Sequence, residues 1–299
     1  MPGAPVGCIL TDTRRWIVIA LMALLAVAAI PAGAASGQPS QADWKAYDDY
    51  VAKAEEQILR EESSVESFVI GTTEVRDRRE AALRRGKVVV DDRGMATAEI
   101  PGGLIHHWVG TVFIPGASLA DVMAVVQDYD HLARYYAPEV VSSRLISREG
   151  DDFWIALRTR DQRVGTVVMD SEYTVHYGRL DAEHQFSFSH STRVAEIADA
   201  GGAHEHAVAE RDSHGYLWRL NSYWRFVEAS GGVIVQCEAI SLTRGVPTGL
   251  GWLIGRYVRE IPRESLEQTL GATRDAVAAR TRLGDSMRAE QSTAKTQHR

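Results

Sequence analysis

The sequence predicts an α+β protein in which a curved antiparallel sheet of about seven strands wraps a long C-terminal helix, with two short helices after the first strand. Six β-rich runs follow one another with only short turns between them. Parallel strands need a crossover connection, usually a helix, and none of these gaps holds one. The longest apolar helical pattern lies near the end of the chain, over 248–282, with a break or restart near Pro262. A parallel α/β fold is therefore excluded.

Local signals mark the first strand and the helices that follow it. Leu104–Pro115 is rich in β-branched and aromatic residues and ends at a proline-glycine pair. Ser118 precedes a helical pattern over Leu119–Tyr129 and has Asp121 three residues later, which is close to a capping box. A short helical piece follows over 130–136. The further strands are predicted at Val140–Arg148, Phe153–Thr159, Val164–Tyr177, Gln185–Ile197, Tyr216–Val227 and Val233–Leu242.

The segment before the main domain is predicted to be helical. Apolar residues recur at helical spacing within Ala42–Glu62. A charged helical stretch over Thr72–Arg85 ends at Gly86, which fits a C-cap. We therefore divide the chain into a signal peptide (1–35), an N-terminal helical extension (36–102), a ligand-binding domain (103–282) and a disordered tail (283–299).

The N-terminus has the pattern of a secretory signal peptide. Arg14 and Arg15 precede a long apolar run, which Pro31 and an Ala-x-Ala cleavage signal at 32–34 bring to an end. The pair of arginines also fits a loose twin-arginine export signal, and the apolar run is long enough for an uncleaved membrane anchor. We expect the protein to be exported to the periplasm or beyond, and to be membrane-tethered if the signal is retained.

The charge balance and the cysteine count limit which partners and cross-links are possible. The mature chain would carry 31 basic and 39 acidic residues, so no dominant basic field favours nucleic acid. Removal of the signal leaves Cys237 as the only cysteine, which excludes an intramolecular disulfide. Cys237 lies in an apolar alternation and is predicted to be a buried hydrophobic residue.

The last two strands give a local register. With a turn at 229–232, Trp224 faces Cys237 and Phe226 faces Val235 on an apolar side that Trp218 and Leu220 continue. The opposite side then holds Tyr223 and Arg225 opposite Glu238 and Gln236. The sequence favours a solvent-side cross-strand pair for Arg225 and Glu238 over a ligand contact. A slip of one residue would exchange the two faces.

Two stretches resemble the START-like superfamily, also called the SRPBCC or helix-grip superfamily. The first combines a strand and helix, Val112–Asp130, with the motif Tyr135-Tyr136-Ala137-Pro138 after Asp128-Tyr129-Asp130. The second runs from Trp218 to Phe226 and from Glu238 to Leu253, and is similar to the last strands and helix entry of uncharacterised secreted bacterial members. The resemblance covers about 103–282 and rests on degenerate motifs, so it speaks for fold more than for function.

The resemblance implies a cavity between the sheet and the C-terminal helix that takes a hydrophobic ligand such as a lipid, an isoprenoid quinone or a polyketide. It provides no catalytic set. We expect the cavity to be lined by apolar and aromatic side chains that share strand faces or lie on the helix, namely Tyr135, Phe153, Ile155, Leu157, Met169, Tyr173, Phe186, Phe188, His190, Trp224, Phe226, Leu253 and Tyr257.

Catalytic and metal motifs are absent from the sequence. There is no G-x-S-x-G, Walker loop, G-x-G-x-x-G or H-E-x-x-H. His204-Glu205-His206 offers two imidazoles at strand spacing, but zinc needs three or four ligands and the surroundings indicate a loop. His106 and His107 must point to opposite faces of their strand. The polar residues that an enzyme could use are His190, Tyr173, Glu238, Arg158 and Arg193.

The sequence thus favours an exported carrier of a hydrophobic small molecule, without a cofactor or metal, over an enzyme. A cyclase or hydrolase on the same fold stays open, as does an envelope interaction module with a filled pocket. An acidic head group bound by Arg158 and Arg193, and transient contact with a membrane, also stay open. Oligomeric state cannot be read from these patterns.

Overall fold

The computed structural model describes residues 38–65, 67–69, 80–162, 166–245 and 260–282. All of them belong to one compact unit that begins at Gly37. No helix within these ranges combines the length and the apolar character that crossing a membrane requires. The predicted signal peptide, most of the charged stretch over 72–85, the predicted site residues Leu253 and Tyr257, and the predicted tail lie outside the described residues.

Three α-helices have both ends within the described ranges, α1 (Gln41–Glu62), α2 (Leu119–Val126) and α3 (Leu132–Tyr135), as does a short 3-10 helix at Glu210–Asp212. Residues 80–84 and 260–282 are also helical, and the second range is called the C-terminal helix below. Pro262 is the third described residue of this range, and the residues before 260 that would test the predicted break or restart lie outside the described ones. Gly86, at a φ of 71°, ends the 80–84 piece as predicted, because its left-handed backbone lets the chain turn away.

The strands are β1 (Val89–Glu99), β2 (Gly103–Pro115), β3 (Val140–Glu149), β4 (Asp152–Asp161), β5 (Val167–Arg179), β6 (His184–Ala198), β7 (His206–Ala207), β8 (Arg219–Ala229) and β9 (Gly232–Arg244). They form an antiparallel sheet in the order β1-β2-β9-β8-β6-β5-β4-β3, with β7 beside β6.

The predicted fold class is confirmed. A sheet strand is followed by two short helices, a run of antiparallel strands and a terminal helix packed on the sheet, which is the helix-grip arrangement. The described sheet has nine strands rather than about seven. The difference arises because 89–99, within the segment predicted to be a helical extension, pairs with β2 as β1, and because β7 adds two residues.

The C-terminal helix packs on one face of the sheet, called the inner face. Leu266, Leu270 and Val277 join a core cluster with residues from β2, β4, β5, β8 and β9. The helix passes so close to β2 that a Cβ on Gly110 would lie 2.4 Å from a methyl carbon of Leu270. A larger side chain at Gly110 would therefore push the helix away.

Helix α1 packs on the other face of the sheet, called the outer face. Ser40 and Asp43 form a complete capping box at its start. Its apolar residues Tyr47, Val51 and Ile58 lie in a second core cluster, whose sheet members include Ile240 and Leu242 of β9. Both faces of the central strands are consequently covered, one by each helix.

Candidate functional site

A row of side chains crosses the inner face through the middle of the sheet. The strand register places one residue from each of β2, β9, β8, β6, β5 and β4 side by side. This row consists of Trp108, Ala239, Ser222, Ser189, Val175 and Phe153. A neighbouring row runs through Gly110, Cys237, Trp224, Ser187 and Tyr177. On the other side lies a third row, with His106, Ser241, Leu220, Ser191, Tyr173 and Ile155.

Four serines occupy the middle of these rows. Ser187, Ser189 and Ser191 alternate along β6, and Ser222 lies beside Ser189 on β8. We call these four residues the serine patch. The side chains next to it on β8 and β9, Leu220, Trp224 and Ala239, are only half-buried although they lie in the middle of the sheet. Ser187, Ser189 and Ser191 are themselves buried, so the partial exposure on this part of the inner face belongs to Ser222 and these neighbours.

Tyrosine and threonine hydroxyls border the patch. The Tyr129 and Tyr177 hydroxyls lie 2.7 Å apart, and the Tyr136 hydroxyl lies 2.9 Å from that of Thr273 on the C-terminal helix. Burial raises the pKa of Tyr136 to about 12 and also raises the pKa of Tyr129 and of Tyr177. These phenols therefore stay protonated near neutral pH and can donate hydrogen bonds.

The aspartate-tyrosine motif of the sequence holds α3 against the sheet. Asp128 accepts a hydrogen bond from the Tyr135 hydroxyl at 2.7 Å and lies 2.7 Å from the His131 Nδ1. Asp130 accepts one from the backbone N–H of Leu145 on β3 at 2.9 Å. These contacts fix Tyr135 and Tyr136 beside the inner face, so the motif has a positioning role.

Most of the predicted site residues lie on the inner face or pack against its core cluster. They are Tyr135, Phe153, Ile155, Leu157, Tyr173, Trp224 and Phe226, and Met169 shares the face of Tyr173 on β5. Phe153 and Phe226 are buried, whereas Trp224 and Leu157 are half-buried. The first pair belongs to the packed core, and the second pair remains accessible.

Three predicted site residues lie on the opposite face. Phe186 and Phe188 contact each other, and Phe188 packs edge-on against Tyr223 of the outer face. The His190 Nε2 lies 2.7 Å from a carboxylate oxygen of Glu55 on α1. In β6 the serines point inward and the aromatic residues outward, because α1 provides an apolar cover on the outer side. Assigning these three to the inner lining was therefore wrong.

The predicted register of β8 and β9 is confirmed, including Trp224 opposite Cys237 and Tyr223 opposite Glu238. Trp218 is the exception. It packs in the outer cluster with α1 because it precedes Arg219, where the strand begins, so the alternation does not extend to it. Cys237 is buried as predicted, and burial raises the pKa of its thiol.

The prediction of a solvent-side pair for Arg225 and Glu238 was wrong. Both side chains are fully buried, because the last turn of α1 covers them. We call this group the buried charge cluster, and it consists of Glu61, Glu62, Arg93, His107, Arg225 and Glu238. No signal in β8 or β9 reports this cover, since the covering residues lie more than 160 positions earlier in the chain.

Glu238 is the centre of the buried charge cluster. Its carboxylate accepts hydrogen bonds from Arg93 Nε at 3.0 Å and from Arg225 Nη1 at 3.1 Å, and lies 2.7 Å from His107 Nε2. Burial opposes its ionisation, but the His107 hydrogen bond and the two guanidinium charges outweigh burial and lower its pKa to about 2. Glu238 is thus a carboxylate at neutral pH.

Glu62 is the exception in the buried charge cluster. Arg225 Nε lies 3.2 Å from its Oε1, but the donor does not point at the oxygen, and neither oxygen accepts a hydrogen bond from the described residues. Burial raises the pKa of Glu62 to about 8, with Glu238 and Glu61 acting in the same direction and Arg225 against it.

The remaining polar candidates lie apart from the inner face. Arg158 pairs with Asp170 and Glu205, and Arg193 with Glu172. His204-Glu205-His206 is exposed. Among the described residues no group of three histidine, cysteine or acidic side chains could hold a metal ion. His106 and His107 do point to opposite faces, towards Thr243 and Glu238 respectively.

Comparison with solved structures finds several that are partly similar to this chain. A STAR-related lipid transfer protein from Xanthomonas axonopodis is 17% identical over 63% of this chain and 99% of its own, with a TM-score of 0.40. A START superfamily protein from Mycobacterium smegmatis is 13% identical over 60% of this chain and 98% of its own, with a TM-score of 0.37. The Zhui aromatase/cyclase from a Streptomyces species is 14% identical over 60% of this chain and 94% of its own, with a TM-score of 0.39.

No known protein family and no curated protein matches the chain by sequence. At these identities and TM-scores the likeness carries no argument about fold or activity. The fold class stated above rests on the observed elements and their packing.

Proposed function

We propose that this protein is exported and binds a hydrophobic small molecule, of the lipid, isoprenoid quinone or polyketide kind, over the serine patch. The ligand would lie between the inner face and the C-terminal helix. One observation carries the binding half of the proposal: in the middle of the sheet the inward side chains are four serines with half-buried neighbours, whereas Val112, Val235 and Phe226 elsewhere on the inner face are fully buried in the apolar core.

The side chains of the serine patch are too small to fill the space that a packed core would fill. Protein interiors are packed about as densely as organic crystals, so a face built for direct helix packing carries large apolar side chains. The inner face does so at Val112, Val235 and Phe226, which are fully buried. At Ser189 and Ser222 it carries short polar side chains instead, which would leave room for a ligand under the helix.

The chemistry around the serine patch fits binding better than acid-base catalysis. The three rows carry no carboxylate, their one imidazole, that of His106, lies between the Thr97 and Thr243 hydroxyls, and burial raises the pKa of Tyr173, Tyr177 and the Cys237 thiol away from neutrality. Catalytic acids and bases are instead tuned towards the working pH. Aromatic rings and hydroxyl donors suit a largely apolar ligand with a few oxygen atoms.

Export is the other half of the proposal, and its support is the sequence alone. The arginine pair, the apolar run and the Ala-x-Ala signal within 1–35 have the order of a cleaved secretory signal. A carrier in the cell envelope would meet apolar molecules that have negligible solubility in water.

Native mass spectrometry of the protein purified from its own envelope fraction, with organic extraction, tests both halves. We expect a chain that begins near residue 36 and carries an extractable apolar molecule. An unprocessed chain in the cytoplasm would contradict export. Repeated purification without a ligand, together with no uptake of the fluorescent probe N-phenyl-1-naphthylamine, would contradict binding.

A filling substitution locates the ligand. Ser189→Leu should reduce the affinity for N-phenyl-1-naphthylamine at least tenfold, because the larger side chain would occupy the space proposed for the ligand. Ser147→Leu is the matched control, since Ser147 is exposed on β3. Melting temperatures of both variants report the overpacking penalty, about 1–3 kcal/mol at most sites. Unchanged probe binding by a folded Ser189→Leu protein would place the ligand elsewhere.

A further inference from the structure

The buried charge cluster does not balance if every carboxyl group is ionised. With the His107 imidazole neutral, Glu61, Glu62 and Glu238 would carry three negative charges against the two guanidinium groups of Arg93 and Arg225. An uncompensated buried charge is costly, so the group takes up a proton.

The hydrogen bonds indicate which carboxyl group holds this proton. Glu238 accepts from both arginines, and Glu61 accepts from Arg93 Nη2 at 2.5 Å and from Arg225 Nη2 at 3.4 Å. Those contacts favour ionised carboxylates. Glu62 accepts none from the described residues, and burial raises its pKa to about 8.

The position of Glu62 in its helix adds to this effect. Glu61 and Glu62 are the last two residues of α1, where the helix dipole disfavours negative charge. Two adjacent acids at this end do not stabilise an isolated helix. They instead place the end of α1 onto Arg93 of β1 and Arg225 of β8.

We propose that the buried charge cluster is a one-proton latch, in which protonated Glu62 holds the last turn of α1 on the outer face and loss of that proton loosens it. In the released state Glu62 would be solvated and would have the ordinary pKa of a glutamate, near 4.5. The docked state therefore retains a proton over a window from about 4.5 to 8, in which the released state does not.

Proton binding by Glu62 is linked to docking of α1, and this linkage gives the direction in which docking changes with pH. A group whose pKa is raised in the docked state contributes its full stabilisation below the ordinary pKa and loses it as the pH rises to the raised value. One retained proton changes the docking equilibrium about tenfold per pH unit. Docking is thus tight in mild acid and weakest above about pH 8.

Arg93, Arg225 and Glu238, which also lie in the buried charge cluster, keep their charge through this pH window. His107 can be observed separately by nuclear magnetic resonance. The guanidinium groups of Arg93 and Arg225 stay protonated. The pKa of Glu238 lies at about 2, well below the window. His107 lies between Glu238 and the Tyr50 hydroxyl, and its ring protons give a separate nuclear magnetic resonance signal.

Hydrogen exchange of the full chain tests the latch. At pH 5.5, 6.5 and 7.5, after correction for intrinsic exchange, the opening constant of the amides at 59–63 should rise about tenfold per pH unit. Glu62→Gln, which keeps the shape of the protonated acid, should abolish this slope. Glu56→Gln is the matched control, since it changes an exposed acid on the same helix outside the buried charge cluster, and it should keep the slope.

Two results would overturn the latch: opening constants in the unmodified protein that do not change with pH, or a slope that survives in Glu62→Gln. Carbon-13 titration of the glutamate carboxyl groups in the unmodified protein is independent of any variant. We expect one of them to titrate near pH 8. Titration of every glutamate near the ordinary pKa would also exclude the latch, even if Glu62→Gln failed to fold.

Discussion

Neighbouring residues on β8 and β9 lie in two different environments, because alternate side chains point to the inner and the outer face of the sheet. Cys237 enters the inner face beside Trp224, whereas its neighbour Glu238 enters the buried charge cluster. Cys237 is only 2% exposed to solvent. Burial raises the pKa of its thiol, which disfavours the reactive thiolate. The residue is chemically inert for the same reason that it is a good core residue.

Thiol labelling tests this environment. In a Cys8→Ser chain, which leaves Cys237 as the only thiol, we expect dithionitrobenzoate to react negligibly with the native protein at pH 8 and rapidly after denaturation in guanidinium. The reason is that reaction needs an exposed thiolate. Rapid labelling of the native protein would contradict both the burial of Cys237 and the closeness of the helix above it.

At the scale of elements, the start of α1 is tied to the sheet by one buried carboxylate. Asp43 accepts hydrogen bonds from the Ser40 backbone N–H at 2.9 Å and hydroxyl at 2.7 Å, and from the Gly102 backbone N–H at 2.8 Å. Burial opposes its ionisation, but these bonds outweigh burial and lower its pKa. The cap is therefore also a connection between α1 and the turn before β2.

Removing this carboxylate should destabilise the whole domain. We expect Asp43→Ala to lower the free energy of unfolding by about 2–4 kcal/mol, because a helix cap is lost and a buried N–H loses its acceptor. Asp48→Ala, an exposed change on the same helix, should stay within about 0.5 kcal/mol of the unmodified protein. Urea unfolding at neutral pH measures both, and equal effects would argue against the tie to Gly102.

The sequence predicted the elements better than it predicted the faces. The glycine-containing turn and the alternation in β8 and β9 were enough to assign their register, since a slip would have moved Trp224 and Arg225 together. In β6 the same reasoning failed at Phe186 and Phe188. Hydrophobicity marks the covered side of a strand, and when both sides are covered it no longer tells inner from outer.

The serine patch was missed for a related reason. Serine in a strand is typical of a solvent face, and only the strand pairing brings Ser189 and Ser222 together under the C-terminal helix. The buried charge cluster was missed because its members come from five elements, α1, β1, β2, β8 and β9. Phe153 and Tyr173 were predicted correctly because apolar residues recur at every second position along their strands.

For the molecule as a whole, the N-terminal region is an integral layer. Tyr47, Val51 and Ile58 of α1 bury the outer face, and Glu61 and Glu62 complete the environment of Arg225. Each fully buried apolar side chain contributes roughly 1.5–3 kcal/mol, and a typical domain is stable by only about 5–15 kcal/mol. The sheet and C-terminal helix alone cannot make up this loss.

A truncation tests this view. A chain that lacks residues 1–69 should lose its cooperative thermal transition, because Ile240, Leu242 and the charges of Arg225 and Glu238 become uncovered. A chain that lacks only residues 1–35 should unfold cooperatively. Circular dichroism during heating compares the two. A sharp transition at the same temperature in both would mean that α1 is a separable attachment.

The alternation along β8 has a consequence for how this protein can change over generations. Trp224 faces the serine patch and Arg225 the buried charge cluster, so loss or gain of one residue between Arg219 and Ala229 would exchange the two. An arginine would then enter the apolar layer and a tryptophan would replace it among the carboxylates. Length variation should therefore be confined to the turn at 230–231, while β8 tolerates substitutions but no frame change.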